Sequence, residues 1–241
     1  MKDLFDHRED IALRGFAVIE NLYSSDEITE IINLVNQADQ SNLTFRKTKG
    51  LFAIRRFLKE IPRIKKLILN GNLQSLILEV FGNQYFIVKS IYFDKPEQSN
   101  WFVGWHQDLT ISVDTKAELP GFDSWTVKID QFAVQPPLSI LQDNFTIRIH
   151  LDDTDENNGA LKVIPASHLK GICRLDGLDW KNGTETTCNV NAGGVMVMRP
   201  LLFHASNRTI SDKQRRIIHI EFSRQELPSE ITWAEKEEKI K

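Results

Sequence analysis

The chain has 241 residues, of which 41% are hydrophobic and 26% are charged, and its formal net charge is −3. This length and apolar content are typical of a globular protein with a substantial core. The balanced charge, with no strongly basic stretch, argues against a nucleic-acid-binding protein. No apolar run approaches the roughly 20 residues that are needed to cross a membrane.

The two cysteines, Cys173 and Cys188, are too few for a disulfide framework in a chain of this size. Free thiols in a reducing compartment are the simplest interpretation. The N-terminal segment lacks the apolar core of a secretory signal peptide. We therefore expect a cytoplasmic protein, a monomer or a homodimer, whose partner is a small-molecule substrate and neither nucleic acid nor membrane.

The first part of the chain has helical periodicity. A short strand is predicted at 15–20, and Ser24 with Glu27 then forms a capping-box pair in front of apolar residues at helical spacing. A second helical region is predicted at about 61–80, with a break near Gly71. The basic segment between the two helical regions, 41–56, is predicted to be irregular.

From about residue 84 the pattern changes to that of strands. The stretch 109–143 contains three prolines and is predicted to be a long active-site lid or binding loop. Helices followed by many short strands favour an α+β, mainly β fold built on a sandwich or a barrel. The segments rich in β-branched and aromatic residues, which predict strands, are 85–93, 144–151, 160–164, 194–199 and 215–223.

We expect one domain over 1–241. Its helical part covers about 1–83, its β core about 84–223, and a charged tail, 224–241, follows, with Trp233 as an anchor.

His106 and Asp108 are two residues apart, and on an extended strand such residues project to the same face. One imidazole, one carboxylate and a distant histidine, here His204, form the ligand set of a non-heme Fe(II) site. The opposite side of the ion then stays open for a chelating cosubstrate and O2. By itself a His-x-Asp pair is weak evidence, and a lone histidine in an apolar segment is more often a core residue. The hypothesis therefore requires that the three side chains meet.

A keto-acid cosubstrate has a distal carboxylate that needs a fixed cation, and arginine binds carboxylates through two parallel hydrogen bonds. Arg215 and Arg216 open the strand predicted at 215–223. Alternation places Arg215, His219 and Glu221 on its more polar face, which favours Arg215 over Arg216 as the cation. A surface pair of arginines at an edge strand is the alternative.

These segments together resemble the phytanoyl-CoA dioxygenase family of Fe(II)/2-oxoglutarate-dependent oxygenases. The resemblance extends over about 85–223. It rests on the segments 105–108 (Trp-His-Gln-Asp), 158–168 (Asn-Gly-Ala-Leu-Lys-Val-Ile-Pro-Ala-Ser-His) and 204–206 (His-Ala-Ser), with Arg215 eleven residues after His204.

The resemblance implies a double-stranded β-helix, a cupin-like jelly-roll barrel flanked by N-terminal helices. It implies that Fe(II) is bound by His106, Asp108 and His204. It also implies that 2-oxoglutarate is bound by Arg215 and Ser206, with Arg148 and Arg55 as further candidates and Arg56 as the rival of Arg55. The family commonly has glycine where Ala166 and Ala205 stand in this chain.

The implied reaction is hydroxylation of an unactivated C–H bond of a small organic substrate, with 2-oxoglutarate and O2 as cosubstrates and succinate and CO2 as products. Asp108 favours hydroxylation over halogenation, because halogenating relatives have a small residue there. Desaturation or ring formation stays open, and so does the substrate. Trp101, Trp105 and Trp125 are candidates to line its pocket. The alternatives are a cupin-type metal enzyme that does not use 2-oxoglutarate and a non-catalytic jelly-roll binding module.

Overall fold

The computed structural model describes residues 4–39, 41–48, 51–97, 99, 101–128, 131–174, 176 and 185–240. Its helices are α1 (Leu4–Leu13), α2 (Ser25–Asn36), α3 (Phe57–Glu60), α4 (Lys65–Ile68), α5 (Gly71–Phe81) and α6 (Leu138–Asp143). Its strands are β1 (Phe16–Ile19), β2 (Phe45–Thr48), β3 (Leu51–Arg55), β4 (Phe86–Lys95), β5 (Val103–His106), β6 (Ile111–Val113), β7 (Asp123–Lys128), β8 (Gln131–Gln135), β9 (Phe145–His150), β10 (Leu161–Val163), β11 (Thr186–Cys188), β12 (Val195–Met198), β13 (His204–Ser206) and β14 (Arg215–Ser223).

The N-terminal helices begin where the sequence predicts. At the start of α2, the Glu27 amide donates to Ser24 Oγ (3.2 Å) and the Ser24 amide donates to the Glu27 carboxylate (2.8 Å), so the capping box is confirmed. The second helical region is broken as predicted. Asn70 caps α5 by accepting from the Leu73 amide (2.9 Å).

Seven antiparallel strands form the major sheet, in the order β1-β12-β9-β14-β4-β3-β2. The central strand β14 pairs with β4 on one side and with β9 on the other. Its inner position agrees with the long strand that the sequence predicts at 215–223, and its bounds are those predicted.

The minor sheet has the order β11-β10-β13-β5. Side chains from β5 and β13 meet side chains from β4, β9 and β14 around one cavity, so the two sheets face each other. The eight strands β4, β14, β9, β12 and β5, β13, β10, β11 make a double-stranded β-helix of the jelly-roll, cupin-like type, as expected. The sheets do not close into a continuous barrel.

The prediction of an irregular segment at 41–56 is wrong. This segment forms the hairpin of β2 and β3, which extends the major sheet beyond β4. Ile54 is fully buried, and the Phe52 ring packs against Tyr92 at 6.0 Å between centroids. In β2 the two consecutive residues Arg46 and Lys47 are both charged and exposed. They interrupt the alternation of apolar and polar residues by which a strand is predicted.

The prediction of a long loop at 109–143 is also wrong. This stretch contains a three-stranded sheet, β6-β8-β7, followed by α6. Its strands are short, and the pairing of β7 with β8 shifts register between Asp123 and Thr126, so period-2 alternation is interrupted. Val113 and Val134 are fully buried in this sheet, which therefore has a core of its own.

The C-terminal tail packs more closely than its charge suggests. Trp233 and Ile240 are buried, and Trp233 Nε1 donates to the Gln225 carbonyl (3.0 Å). Among the described residues, no helix combines the length and the hydropathy needed to cross a bilayer.

Candidate metal centre

The side chains of His106, Asp108 and His204 converge at one edge of the minor sheet. His106 ends β5 and His204 begins β13, and the two residues face each other in the β5–β13 pair. An oxygen of Asp108 lies 3.8 Å from His106 Nε2, and its other oxygen lies 3.7 Å from His204 Nε2. One ligand atom from each residue lies within 4.8 Å of the other two, which is close enough for a single ion to contact all three.

Backbone carbonyls set the tautomer of both histidines. His106 Nδ1 lies 2.8 Å from the Gly104 carbonyl, and His204 Nδ1 lies 2.9 Å from the Leu202 carbonyl. A carbonyl only accepts, so each Nδ1 holds the proton and donates it. Each Nε2 is then left with a free lone pair that points towards Asp108, as a metal ligand requires.

Gln107 holds the segment between the two first ligands in place. Its side chain points away from the ligands and is buried, and its Nε2 donates to the carbonyls of Leu201 (2.7 Å) and Gly171 (2.8 Å). The Asp108 amide donates to the Pro200 carbonyl (2.9 Å). These bonds tie the loop after β5 to the segment that leads into His204, so the ligands are positioned by one network.

The electrostatic environment keeps His204 and Asp108 in the forms that bind a cation. Burial lowers the pKa of His204 to about 4, so its imidazole is neutral at neutral pH. Burial opposes ionisation of Asp108, but the neighbouring imidazoles of His204 and His219 and the Lys89 ammonium favour it and hold the pKa of this carboxyl well below its usual range.

The segment 164–168 supports His204 from the adjacent strand. The Ile164 amide donates to the Phe203 carbonyl (3.0 Å), and the Phe203 amide donates to Ser167 Oγ (2.9 Å). Ala166 has a left-handed backbone conformation (φ 64°), which lets the chain turn back at this point. The contacts explain why this motif accompanies the ligands although it supplies none.

The metal-ligand cluster opens on a cavity of about 180 Å³ between the two sheets. Charged side chains and apolar side chains both contribute to its wall. The residues that line it are Lys89, Ile91, Phe93, Trp101, Val103, His106, Asp108, Arg148, Leu161, His204, Ser206, Arg215, His219 and Glu221.

Arg215 is a buried cation at the end of this cavity, with a relative exposure of 3%. Its Nη1 donates to the Gly159 carbonyl (2.6 Å), which also accepts from Ser206 Oγ (2.9 Å). Its Nε is buried without a hydrogen-bond partner. Burial, with repulsion from Arg148, lowers the pKa of Arg215 to about 9.

Gly159 explains the Asn-Gly sequence at 158–159. Its φ is +86°, and a Cβ atom there would lie 2.7 Å from Lys95 Nζ and 2.8 Å from the Asn207 carbonyl. Only glycine fits such a position without displacing its neighbours. The Asn-Gly sequence therefore places the Gly159 carbonyl where both Arg215 and Ser206 can donate to it.

Arg148 is the second buried cation, with an exposure of 8%. Its Nη1 donates to His219 Nδ1 (3.2 Å), while its Nε is buried without a partner. Burial lowers its pKa to about 10, so it stays protonated at neutral pH. Within the described part of the chain, neither Arg148 nor Arg215 forms an ion pair with a carboxylate.

Arg216 faces the other way. Its Nε and Nη2 donate to the two oxygens of Asp152, at 2.9 and 2.6 Å. The predicted alternation along β14 is therefore confirmed, and of the two adjacent arginines it is Arg215 that lines the cavity.

The remaining candidates lie at different distances from the cavity. Trp101 lines it, with its ring stacked on Phe93 at 6.1 Å between centroids. Trp105 and Trp125 are not among the described residues that line it, and Trp125 packs against Phe132 instead. Arg55 and Arg56 do not line it either; Arg55 lies on β3, and Arg56 Nε donates to Gln131 Oε1 (3.4 Å).

Lys89 is a cavity residue that the sequence prediction missed. Its Nζ lies 2.5 Å from Glu221 Oε1, which also accepts from His219 Nε2 (3.1 Å). The available signal was a single lysine in the otherwise apolar run at 85–93, because a charge in a buried strand requires a partner. The second His-x-acid pair, His219 and Glu221, is that partner network.

Comparison with known proteins gives one family. A sequence model of the phytanoyl-CoA dioxygenase (PhyH) family matches residues 12–217. The ectoine dioxygenase of Bordetella bronchiseptica is 23% identical over 166 residues, which cover 66% of this chain and 47% of that protein. The chain thus spans about half the length of this curated relative.

Solved structures of similar fold cover nearly the whole chain. EctD from S. alaskensis, solved in its apoform, has a TM-score of 0.69 at 18% identity, covering 90% of this chain and 76% of that chain. HygX from Streptomyces hygroscopicus, crystallised with nickel and 2-oxoglutarate, has a TM-score of 0.64 at 14% identity, covering 90% and 86%. At these identities the likeness concerns the fold.

The family match covers most of the chain. It also contains the three clustered metal-ligand candidates and Arg215. The chain therefore belongs to the phytanoyl-CoA dioxygenase family.

Proposed function

We propose that the protein is a non-heme Fe(II)- and 2-oxoglutarate-dependent oxygenase that hydroxylates a C–H bond of a small organic substrate. The observation that carries this proposal is a shared cavity. The ligand cluster of His106, Asp108 and His204 and the two unpaired guanidinium groups of Arg148 and Arg215 all line it. Two imidazoles and one carboxylate are the facial ligand set of non-heme Fe(II) oxygenases, which leaves the other positions open.

The charge of the cavity fits 2-oxoglutarate. Arg148 and Arg215 are buried cations that have no carboxylate partner among the described residues, and a buried guanidinium without an anion is costly. A dicarboxylate would supply this anion, because one carboxylate would lie at the metal-ligand cluster while the other reached a guanidinium. HygX, which has the same fold, was crystallised with 2-oxoglutarate and nickel, in agreement with this assignment.

When bound, Fe(II) and 2-oxoglutarate supply an oxidation in which O2 is consumed, 2-oxoglutarate becomes succinate and CO2, and C–H becomes C–OH. His106 and His204 offer Nε2 because their Nδ1 protons are engaged by carbonyls. Asp108 stays ionised and occupies the third ligand position, which favours hydroxylation over halogenation. Arg215 and Ser206 hold the distal carboxylate, and Arg148 adds a second positive charge.

Calorimetry with Mn(II), a redox-inactive substitute for Fe(II), followed by 2-oxoglutarate tests the proposal on the whole chain. We expect one metal ion per chain, and 2-oxoglutarate binding that depends on the metal. Metal binding without 2-oxoglutarate binding would instead indicate a cupin-type enzyme of another class. Binding of neither would indicate a non-catalytic module. With Fe(II) and O2, succinate formation from 2-oxoglutarate is the corresponding activity.

A further inference from the structure

An ion pair of Lys89 and Glu221 lines the cavity beside the metal-ligand cluster. The two residues face each other on β4 and β14, and Lys89 Nζ lies 2.5 Å from Glu221 Oε1. Burial opposes charge on both groups, but their mutual attraction outweighs it, so the pKa of Lys89 is raised and that of Glu221 is lowered. Both are therefore fully charged at neutral pH.

This ion pair has binding capacity left over on both sides. Glu221 Oε1 accepts from both Lys89 and His219, whereas no hydrogen bond among the described residues uses Oε2. Oε2 is also not among the fully buried atoms that lack a partner, so it reaches the space of the cavity. A lysine ammonium has three protons, and a single hydrogen bond of Lys89, to Glu221, lies within the described residues.

The proposed function explains the metal ligands and the two arginines but leaves this pair without a role. With 2-oxoglutarate on the metal end and Arg215, the Lys89–Glu221 pair would still present a donor and an acceptor side by side. A ligand with only one charged group would use the free capacity of one member and leave that of the other without a partner in the cavity, which is unfavourable. A ligand with both an ammonium group and a carboxylate satisfies both members.

We propose, on the basis of the proposed function, that the substrate is a small zwitterion with an ammonium group and a carboxylate on the same carbon atom, as in an α-amino acid. Its ammonium group donates to Glu221 Oε2 and its carboxylate accepts from Lys89 Nζ, so the two dipoles lie antiparallel. Glu221 is then the residue that selects for the amine.

The rest of the wall fits the body of such a molecule. Ile91 and Phe93 line the same cavity and follow Lys89 along β4 towards the end of the strand that pairs with Arg215, and Trp101 stacks on Phe93. His219 positions Glu221, because its Nδ1 accepts from Arg148 and its Nε2 must therefore donate to the carboxylate. An amino acid with an apolar side chain would contact the Lys89–Glu221 pair with its charged groups and the apolar residues with its side chain.

The test is calorimetry of the wild-type chain, loaded with Mn(II) and 2-oxoglutarate, against the standard L-α-amino acids. Each amino acid is compared with the primary amine and the carboxylic acid that carry the same side chain. We expect at least one amino acid to bind at least about tenfold more tightly than both analogues. Binding of no amino acid, or equal binding of an amine or an acid alone, overturns the inference.

Variants then test the two charged residues with the amino acid that binds most tightly. Glu221→Gln and Lys89→Met should each weaken its binding about tenfold or more. The control is Glu185→Gln, which removes an ion pair of similar length (2.6 Å to Lys162) outside the cavity and should leave the affinity unchanged. The comparison of analogues on wild-type protein needs no variant, so it decides the question even if a variant does not fold.

The same titrations separate this inference from the proposed function. Binding of Mn(II) and 2-oxoglutarate without binding of any amino acid removes the inference alone. Repeating the amino-acid titrations on metal-free protein tests whether the Lys89–Glu221 site binds without the metal and 2-oxoglutarate. Selective amino-acid binding there, without 2-oxoglutarate binding by the Mn(II)-loaded chain, removes the proposed function and supports the Lys89–Glu221 site.

Discussion

The two adjacent arginines that open β14 have opposite surroundings. On the outward face, Arg216 is held by both oxygens of Asp152. On the inward face, one residue away, Arg215 is almost completely buried and has no carboxylate partner among the described residues. Both side chains are cationic and start from the same strand, so the difference comes from what each face contacts.

This difference supports the proposal that the inward face binds a ligand. A fold that only needed stability would pair Arg215 as it pairs Arg216, or replace it with an apolar residue. A buried cation without a partner lowers the stability of the chain and is useful when an anion arrives. The inward face is therefore adapted to a ligand, while the outward face stabilises the fold.

The largest expected effect is on metal binding. It compares two aspartates, Asp108 in the cavity and Asp152, the partner of Arg216 on the outward side. Asp108→Ala removes one of the three ligands and should weaken Mn(II) binding by at least about 100-fold, since even loss of an outer-shell partner costs up to that much. Turnover of 2-oxoglutarate should disappear with it. Asp152→Ala removes the outward carboxylate and should leave Mn(II) affinity unchanged. Calorimetry measures both, and full activity in Asp108→Ala would refute the ligand assignment.

The next largest expected effect is on the affinity for 2-oxoglutarate, and it compares variants of the adjacent residues Arg215 and Arg216. Arg215→Met should weaken 2-oxoglutarate binding to the Mn(II)-loaded protein by about 100-fold, because a buried charge contact to the ligand is lost. Arg216→Met should change it by less than about threefold. Equal losses in the two variants would show that the faces are not distinct.

Stability should respond to the same two variants with opposite signs. In the absence of ligand, Arg215→Met should stabilise the chain by about 1 kcal/mol or more, because it removes a buried unpaired charge. Arg216→Met should destabilise it by about 1 kcal/mol through loss of a partly buried ion pair. Urea unfolding of both variants, each compared with wild type, measures the difference.

Much of this comparison could be predicted from sequence, because it depends on local periodicity. Alternation along 215–223 assigns Arg215 and Arg216 to opposite faces, and His106 with Asp108 is a local pair. The partners of these residues depend on tertiary contacts that periodicity does not contain. The pairing of β5 with β13 and the contact of Gly159 with Arg215 belong to this second class.

The sequence analysis also missed strands whose apolar residues are interrupted by charged residues or by a shift of register. The β2–β3 hairpin and the sheet of β6, β7 and β8 were predicted as irregular because their apolar residues do not alternate cleanly. Such strands are added at the edges of the major sheet or against the tail, where one face stays exposed and charged residues are tolerated.

Glu235, which contacts Ser90 on the outward face of β4, should make the stability of the chain depend on pH. This carboxyl is 2% exposed, and it accepts from the amide (3.1 Å) and the hydroxyl (2.5 Å) of Ser90. Burial outweighs these bonds and raises its pKa from 4.5 to about 7. Because the folded pKa is raised, the folded state favours the protonated acid. Its contribution to stability is fully present below pH 4.5 and is lost as the pH rises towards 7.

Glu235→Gln should therefore remove this pH dependence. Relative to wild type, the variant should gain about 3 kcal/mol of unfolding free energy above pH 7 and gain nothing below pH 4.5. Urea unfolding across that range gives the measurement. A constant difference at all pH values would mean that Glu235 does not titrate in this window, and that the tail is held on β4 in some other way.

The smallest effect concerns the turn that supports His204. Ala166 has φ +64°, a conformation that costs an L-residue roughly 1–2 kcal/mol. Ala166→Gly relieves this strain but increases the entropy of the unfolded chain, so the net gain should be about 0.5 kcal/mol. Ala205→Gly is the matched control. Ala205 is buried within β13 and is not among the described residues with positive φ, so glycine should destabilise there by about 1 kcal/mol. Urea unfolding resolves opposite signs even at this size, and two destabilised variants would mean that the turn at Ala166 is not strained.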